Sequence, residues 1–345
     1  FGTSELFTTA SLPALKGDCK GSGLAMLNGI KEICEIIPAS LCLHDKLRRT
    51  NLHFDEERSD YDAIAQRLSQ HDRVLCIVNT RKDAQEIYSR LPDEGITLHL
   101  SRMMCPKHLS ETIALIKKLL KDGNKKVIRV IATQLIEAGV DIDFPVVFRQ
   151  EAGLDSILQA AGRCNREGKM AMGATYVFKL HRSLPSGYIS NSVDAQTTLL
   201  RTQPNADWFA PETMRNFFVQ LYSRTQNFDK ADIGILLYKP RELCFKTAAS
   251  NFHLIENEGK SIIVNYDDSL SLVEELKQKG PNYSLMKRLG QYMVHVHDRD
   301  FKILLHGGFA EEIIEEVFVI SDRNQYSEKV GLMLENHWLD EILIK

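Results

Sequence analysis

DSILQAAGRCNR, residues 155–166, is the stretch on which the fold turns, and its spacing predicts a helix. Asp155 or Ser156 would cap the first turn, and Ile157, Ala160, Ala161 and Cys164 fall at the i, i+3, i+4, i+7 spacing of a buried stripe. At about 100° per residue the same helix gathers Gln159, Arg163 and Arg166 within roughly 60° of one another on its other face. Two guanidiniums so close repel unless an anion lies between them. A triphosphate, whose charge grows during transfer, is the kind of ligand that planar forked donors suit. An exposed basic turn paired with nearby acids is the alternative reading of the same residues.

Working outward, the chain alternates strands and helices on either side of this stretch. VLCIV (Val74 to Val78) is a short continuous apolar run, as a parallel strand buried on both faces requires. A helix with Ala84, Ile87, Tyr88 and Leu91 on one side follows it and stops at Pro92. LHL at 98–100 comes next, then a helix opening at Pro106 with Leu109, Ile113, Ile116 and Leu120 aligned, ended by Gly123. VIRVIAT (127–133), VVF (146–148) and ATYVF (174–178) are three further strands. This alternation predicts an α/β fold with a parallel sheet and right-handed crossovers. Ligands of such sheets gather beyond the carboxyl ends of the strands. Asn79-Thr80-Arg81, Ser101-Arg102, Thr133-Gln134 and the turn holding Gly139 and Asp141 all fall there.

With 345 residues, 43% hydrophobic and 26% charged, the chain has the make-up of a globular protein of about two domains. A formal net charge of -3 excludes a uniformly basic nucleic-acid binder, so any such contact must come from a local groove. Seven cysteines without a CxxC pair fit a reducing cytoplasm and no structural zinc. No apolar run approaches about 18 residues, which argues against a membrane span. The chain opens at Phe1 without a methionine and is expected to be part of a longer polypeptide.

Towards the amino end, ELFTTASLPAL places Thr8, Thr9, Ala10 and Ser11 before Pro13, either a turn able to couple two domain faces or simply a strand end. Residues 16–29 read as loop, and a weak strand within 41–54 is followed by an acidic linker, DEERSD. A domain boundary falls near residue 44. At the other end, a helix over 284–293 and strands near 294–298 and 316–320 suggest a small α+β domain beginning near Ser261.

ATQLIEAGVDIDFPVVFR followed by DSILQAAGRCNREGK resembles the fifth and sixth motifs of superfamily-two helicases, and CIVNTRKDAQEIY resembles the fourth. The narrower wording is that of one family. HLSRMMCPKHLSE, EAGVDIDFPVVFR and AAGRCNREG together resemble the CRISPR-associated helicase–nuclease of type I interference. TTASLPAL resembles its third motif, and SIIVNYDDSLSLVEEL, LMKRLGQYMVHVHDRDF and VGLMLE resemble its C-terminal domain. The resemblance implies a RecA-like parallel sheet flanked by helices, followed by a smaller α+β domain. Residues 1–43 would close the first RecA-like domain and form the linker, 44–260 would be the second RecA-like domain with trailing helices, and 261–345 the C-terminal domain.

In that family Gln159, Arg163 and Arg166 would reach across a cleft to ATP held, with Mg2+, mainly by the first motor domain. The arginines would act as fingers on the γ-phosphate, a role typically worth about 10³ to 10⁵ in rate. Gly139 and Gly162 are expected near the phosphates and Asp141 near the ribose. Asn79, Thr80, Arg81, Ser101, Arg102, Thr133 and Gln134 would touch the backbone of single-stranded DNA, which positions without reading sequence. Movement is 3′ to 5′ in this family. Implied partners are single-stranded DNA, the CRISPR surveillance complex, and the first RecA-like and nuclease domains, which the chain lacks.

The departures bear on activity. A GxxxxGK[ST] loop is absent: the GKS at Gly259–Ser261 has Leu254 where the first glycine is needed and leads into a strand-like IIV. No DExH box is present, and the chain alone is expected to be inactive as an ATPase. The pairs His44-Asp45, His71-Asp72 and His297-Asp298 lack further ligands around them, as do His295 and His297, so no metal site is expected. Lys117, Lys118, Lys121, Lys125, Lys126 and Arg129 read as a solvated face or, less simply, a DNA path. Trp208, Phe209, Phe217, Phe218, Leu221 and Tyr222 read as core packing or as base-stacking residues. Two other functions remain open: a non-catalytic docking module for the surveillance complex, and half of a DExH-type RNA helicase.

Overall fold

The structure is a computed structural model that describes residues 6–9, 11, 13–23, 25–121, 126–137, 139–238, 242–253 and 259–334. Its main sheet is built from β1 (Thr50–Ser59), β2 (Arg73–Val78), β3 (Ile96–Leu100), β4 (Ile128–Thr133), β5 (Val146–Gln150) and β6 (Gly173–Leu180). The strands lie in the order β1-β6-β5-β2-β4-β3, all parallel. Flanking helices are α1 (Tyr61–Ser69), α2 (Arg81–Arg90), α3 (Pro106–Leu119) and α4 (Leu154–Ala161), trailed by α5 (Tyr188–Thr202) and α6 (Pro211–Tyr222).

Strand periodicity explains why both faces are dry. Side chains alternate across a strand, so Val74, Cys76 and Val78 of β2 pack with Ile64, Leu68, Ala84 and Ile87 of α1 and α2. Leu75 and Ile77 point the other way, into a cluster with Val130, Ala132 and Val147, the α3 residues Ile116 and Leu119, and Ala160 of α4. The helices start where their caps require: Asp60 accepts from the Ala63 amide and Thr80 from the Asp83 amide.

The carboxyl-terminal unit has its own core. Strands β7 (Lys260–Ile263), β8 (Met293–Val296), β9 (Ala310–Ile314) and β10 (Val317–Ile320) form a sheet in the order β8-β7-β10-β9, and α7 (Ser269–Lys279), α8 (Tyr283–Leu289) and α9 (Asp298–His306) accompany it. Its core takes in Met103 and Cys105 from the loop after β3. There Tyr326 accepts from the Cys105 amide at 3.0 Å and lies 2.9 Å from His108 Nδ1, while the His108 ring stacks on Tyr266. Gly331, at φ +83, passes so close to the Met103 carbonyl that a Cβ would lie 2.4 Å from it.

Several expectations are corrected here. The acidic stretch DEERS is not a linker but the second half of β1, paired with β6; Asp55 holds Arg67, and Arg58 holds Glu151 at 3.0 Å. The loop-like 16–29 contains a two-stranded antiparallel pairing of Cys19–Lys20 with Met26–Leu27. Arg129 does not share the lysine face, being a buried β4 residue that donates to the Glu94 carbonyl. The helix expected over 284–293 ends at Leu289 and continues as a 3-10 turn. Gly123, invoked to end α3, and Lys125 lie outside the described residues; α3 itself ends at Leu119. Phe217, Phe218 and Leu221 are core. Among the described residues no helix is long and apolar enough to cross a membrane.

His99, on β3, is 2% exposed with Tyr88 edge-on to it, and burial, helped by the neighbouring His108, holds its imidazole down to about 4. The unfolded chain takes up this proton near pH 6.5, whereas the folded chain resists it until about 4. Folding stability should therefore fall as pH drops through that window. His99→Phe is expected to make the decline in thermal midpoint between pH 6.5 and 4 less steep; an unaltered slope would remove His99 as its source.

Candidate nucleotide and nucleic-acid site

The helix of the quoted stretch is shorter than its spacing suggests. Gly153, not Asp155 or Ser156, is the N-cap of α4, and the helix stops at Ala161 with Gly162 as C-cap. The stripe Ile157, Ala160, Ala161 and Cys164 is buried as expected. Beyond Gly162 the chain leaves the helical path, because Phe144 and Cys164 form a parallel bridge. Asn165 takes φ +49, and its side chain bonds the Arg49 carbonyl and both the amide and carbonyl of Met170. Asp143 then accepts from the Arg166 and Glu167 amides.

Arg163 and Arg166 thus sit on a stapled turn and have different surroundings. Arg163 is 7% exposed and donates to the Ile136 and Glu137 carbonyls at 3.1 and 2.6 Å. Burial lowers its basicity, the Arg166 charge lowers it further, and Asp141 and Glu137 oppose both. The anion that two close guanidiniums need is supplied within the chain: Asp141 lies 2.9 Å from Arg166, on the exposed side. Gln159 remains on α4, half-buried. The common helical face of Gln159, Arg163 and Arg166 is therefore replaced by a helix residue beside a separate turn. Gly139 is exposed at φ +74 with open space where a Cβ would stand. Gly162, with φ in the ordinary helical region, also faces solvent.

The strand-end residues are gathered on one edge of the sheet, most of them already engaged. Asn79 donates through its amide to Gln150 Oε1 and through Nδ2 to the Glu151 carbonyl, both at 2.8 Å, and its Oδ1 accepts from Arg149 at 2.7 Å and from Gln134 at 3.4 Å. Thr80 caps α2 and donates to Asp83 Oδ2. Arg81 reaches the carboxyl-terminal unit, with Asp300 at 3.0 Å and Met103 Sδ at 2.8 Å. Ser101 and Thr133 are buried, and Arg102 is exposed.

Sequence reasoning missed Arg149 and Glu137. Arg149 is fully buried and its Nε lies 2.8 Å from Glu137 Oε1. The contact is ionic, not a well-aligned hydrogen bond, and Arg149 Nη2 has no hydrogen-bond partner. The signal was the run FRQE at 148–151, charged residues continuing a strand buried on both faces. Asp207 joins His44 and Asp45, whose ligating atoms fall within 4.8 Å of one another, contrary to the expectation that nothing gathers round that pair. Arg48 pairs with Asp207 and already supplies a cation there.

Comparison with known proteins finds likenesses in sequence and in fold. Residues 70–169 match the family model described as CRISPR-associated nuclease/helicase Cas3, C-terminal. The Cas3 of Methanothermobacter thermautotrophicus is 32% identical over 115 residues, 33% of this chain and 14% of that protein. The Cas3 of Haloferax volcanii is 69% identical over 36 residues, 10% of this chain and 4% of its own length. Among solved structures, T. fusca Cas3 superposes with a TM-score of 0.54 at 13% identity, covering 79% of this chain and 39% of that one. A chain of a CRISPR RNA-guided surveillance complex, pre-nicking, superposes with 0.50 at 14% identity, covering 79% and 41%. At such identities the likeness concerns the fold. The chain spans about a seventh of the length of the first of these relatives and about two fifths of the solved structures.

Asn165→Ala should lower stability by about 2–3 kcal/mol, because it removes side-chain bonds worth about 1 kcal/mol each and leaves a residue less suited to positive φ. Urea unfolding measures this, and a change below about 0.5 kcal/mol would mean that the turn stands without Asn165.

Proposed function

We propose that this chain is the C-terminal part of a Cas3-family helicase and that it supplies the second motor domain of an ATP-driven 3′–5′ translocase on single-stranded DNA in type I CRISPR antiviral interference. The observation that carries the reading is that the turn bearing Arg163 and Arg166, set beside the amino ends of β1, β5 and β6, is joined through Glu137 and Arg149 to the carboxyl strand ends bearing Asn79 to Arg81, Ser101–Arg102 and Thr133–Gln134. Residues 1–43 belong to the end of the first motor domain and the linker, 44–260 to the second motor domain, and 261–345 to the C-terminal domain. The partners are the first motor and nuclease domains, single-stranded DNA and the surveillance complex, all in the cytoplasm.

The donor set fits a polyphosphate. Arg166 is held by an exposed carboxylate, so a phosphate group can take the place of Asp141 on its guanidinium at little cost. Arg163, anchored to two carbonyls, holds the turn in position beside it. Exposed Gly139 presents bare backbone alongside, and Gln159 and Gly162 border the same end of α4. When bound, ATP with Mg2+ supplies the phosphoryl group whose departure drives the cycle. Asp141, released from Arg166, is left for the ribose.

The isolated chain should show no DNA-stimulated phosphate release, and robust turnover would overturn the half-motor reading. Once a first motor domain is supplied, activity should appear and fall by about 10³-fold or more in Arg166→Ala and comparably in Arg163→Ala; unchanged rates would mean the fingers are misassigned. Equal stimulation by RNA would favour the RNA-helicase reading, and inhibition of recruitment without any effect on ATP use would favour the docking module.

Asp300 competes with phosphate for Arg81. Asp300→Asn is therefore expected to tighten binding of a short oligothymidylate about threefold at low salt, an advantage lost as salt screens the charge. Anisotropy titration would measure it, and unaltered affinity would take Arg81 off the strand path.

A further inference from the structure

A continuous set of polar contacts runs beneath the site, from the arginine turn to the strand-facing turn. Arg163 donates to the Glu137 carbonyl at 2.6 Å, the Glu137 carboxylate lies 2.8 Å from Arg149 Nε, and Arg149 Nη1 donates to Asn79 Oδ1 at 2.7 Å. Asn79 closes the set by bonding Gln150 and Glu151 at the end of β5. Arg149 is wholly buried and Glu137 is 8% exposed. Buried polar groups of this kind have few alternative partners, so displacing one member leaves another unsatisfied. A shift of the Arg163 turn therefore cannot be absorbed by solvent and must be passed on to Glu137 and from there to Asn79.

We propose that the buried Glu137–Arg149 pair is a positioning element that couples the nucleotide-facing turn at Arg163 to the strand-facing turn at Asn79–Arg81. The pair is buried and is assigned no contact with ATP or DNA. Its function as a coupler in a working motor rests on the translocase reading above, but the mechanical coupling itself belongs to this chain.

Amide hydrogen exchange on the chain tests that coupling. Arg163→Ala should accelerate exchange of the Asn79–Arg81 amides about tenfold, with the β7 and β8 amides as a control for general loosening. In the Glu137→Gln, Arg149→Met double variant, which removes both charges and avoids leaving one buried alone, exchange at 79–81 should already be fast, and Arg163→Ala should add nothing. Additive effects of the two changes, or no response at 79–81 to Arg163→Ala, would overturn the proposal. With the first motor domain present, the double variant should keep its basal ATP hydrolysis within about twofold and lose about tenfold of its stimulation by single-stranded DNA. Undiminished stimulation would also overturn the proposal. If the parent protein shows no DNA stimulation at all, the translocase reading fails, and the exchange result still decides the coupling.

Discussion

A guanidinium that touches no water, Arg149 at the end of β5, is the constraint on which the site depends. Burial alone would make so strong a base costly, and the adjoining Glu137 carboxylate offsets that cost; burial in turn raises the carboxyl, and Arg149 opposes the rise. Removing one partner of such a pair typically costs about 3–5 kcal/mol, because the other charge is left buried without compensation. The pair therefore fixes the backbone on both sides of it. The 3-10 turn Gln134–Ile136 is held against β5, and the Asn79 turn is held against both.

The sheet makes this arrangement necessary. β2 and β4 are buried on both faces by helices, which leaves polar chemistry nowhere to go except beyond the strand ends. Asn79, Gln134, Glu137 and Arg149 consequently crowd into that edge, while the turn of Arg166 lies beside the amino ends of the strands. Asn79 illustrates the result: placed where a strand-binding side chain is expected, it spends its amide on Arg149, Gln134 and Glu151.

The carboxyl-terminal unit is part of that edge. Its core includes Met103 and Cys105, Tyr326 joins it to α3 through His108, and Asp300 reaches Arg81. A bare backbone at Gly331 is required for the approach to the Met103 carbonyl. The loop after β3 is thereby shared between the two units, and any ligand lying along Ser101 and Arg102 meets both.

The apolar rhythm of the chain determined by itself where the strands and helices of the parallel sheet lie, which stripe of 155–166 is buried, and that charged residues collect at the strand ends. Those properties are local, since periodicity of side chains along one element decides which face is dry. Only the tertiary structure decided that α4 ends at Ala161, that DEERS extends an edge strand, that Asp141 pairs with Arg166 and that Arg149 meets Glu137. Each of these depends on a partner distant in sequence, such as Phe144 for Cys164, β6 for β1, or Asn79 for Arg149. A hydrogen bond or ion pair to such a partner outweighs the few tenths of a kcal/mol by which local propensity favours one more helical turn.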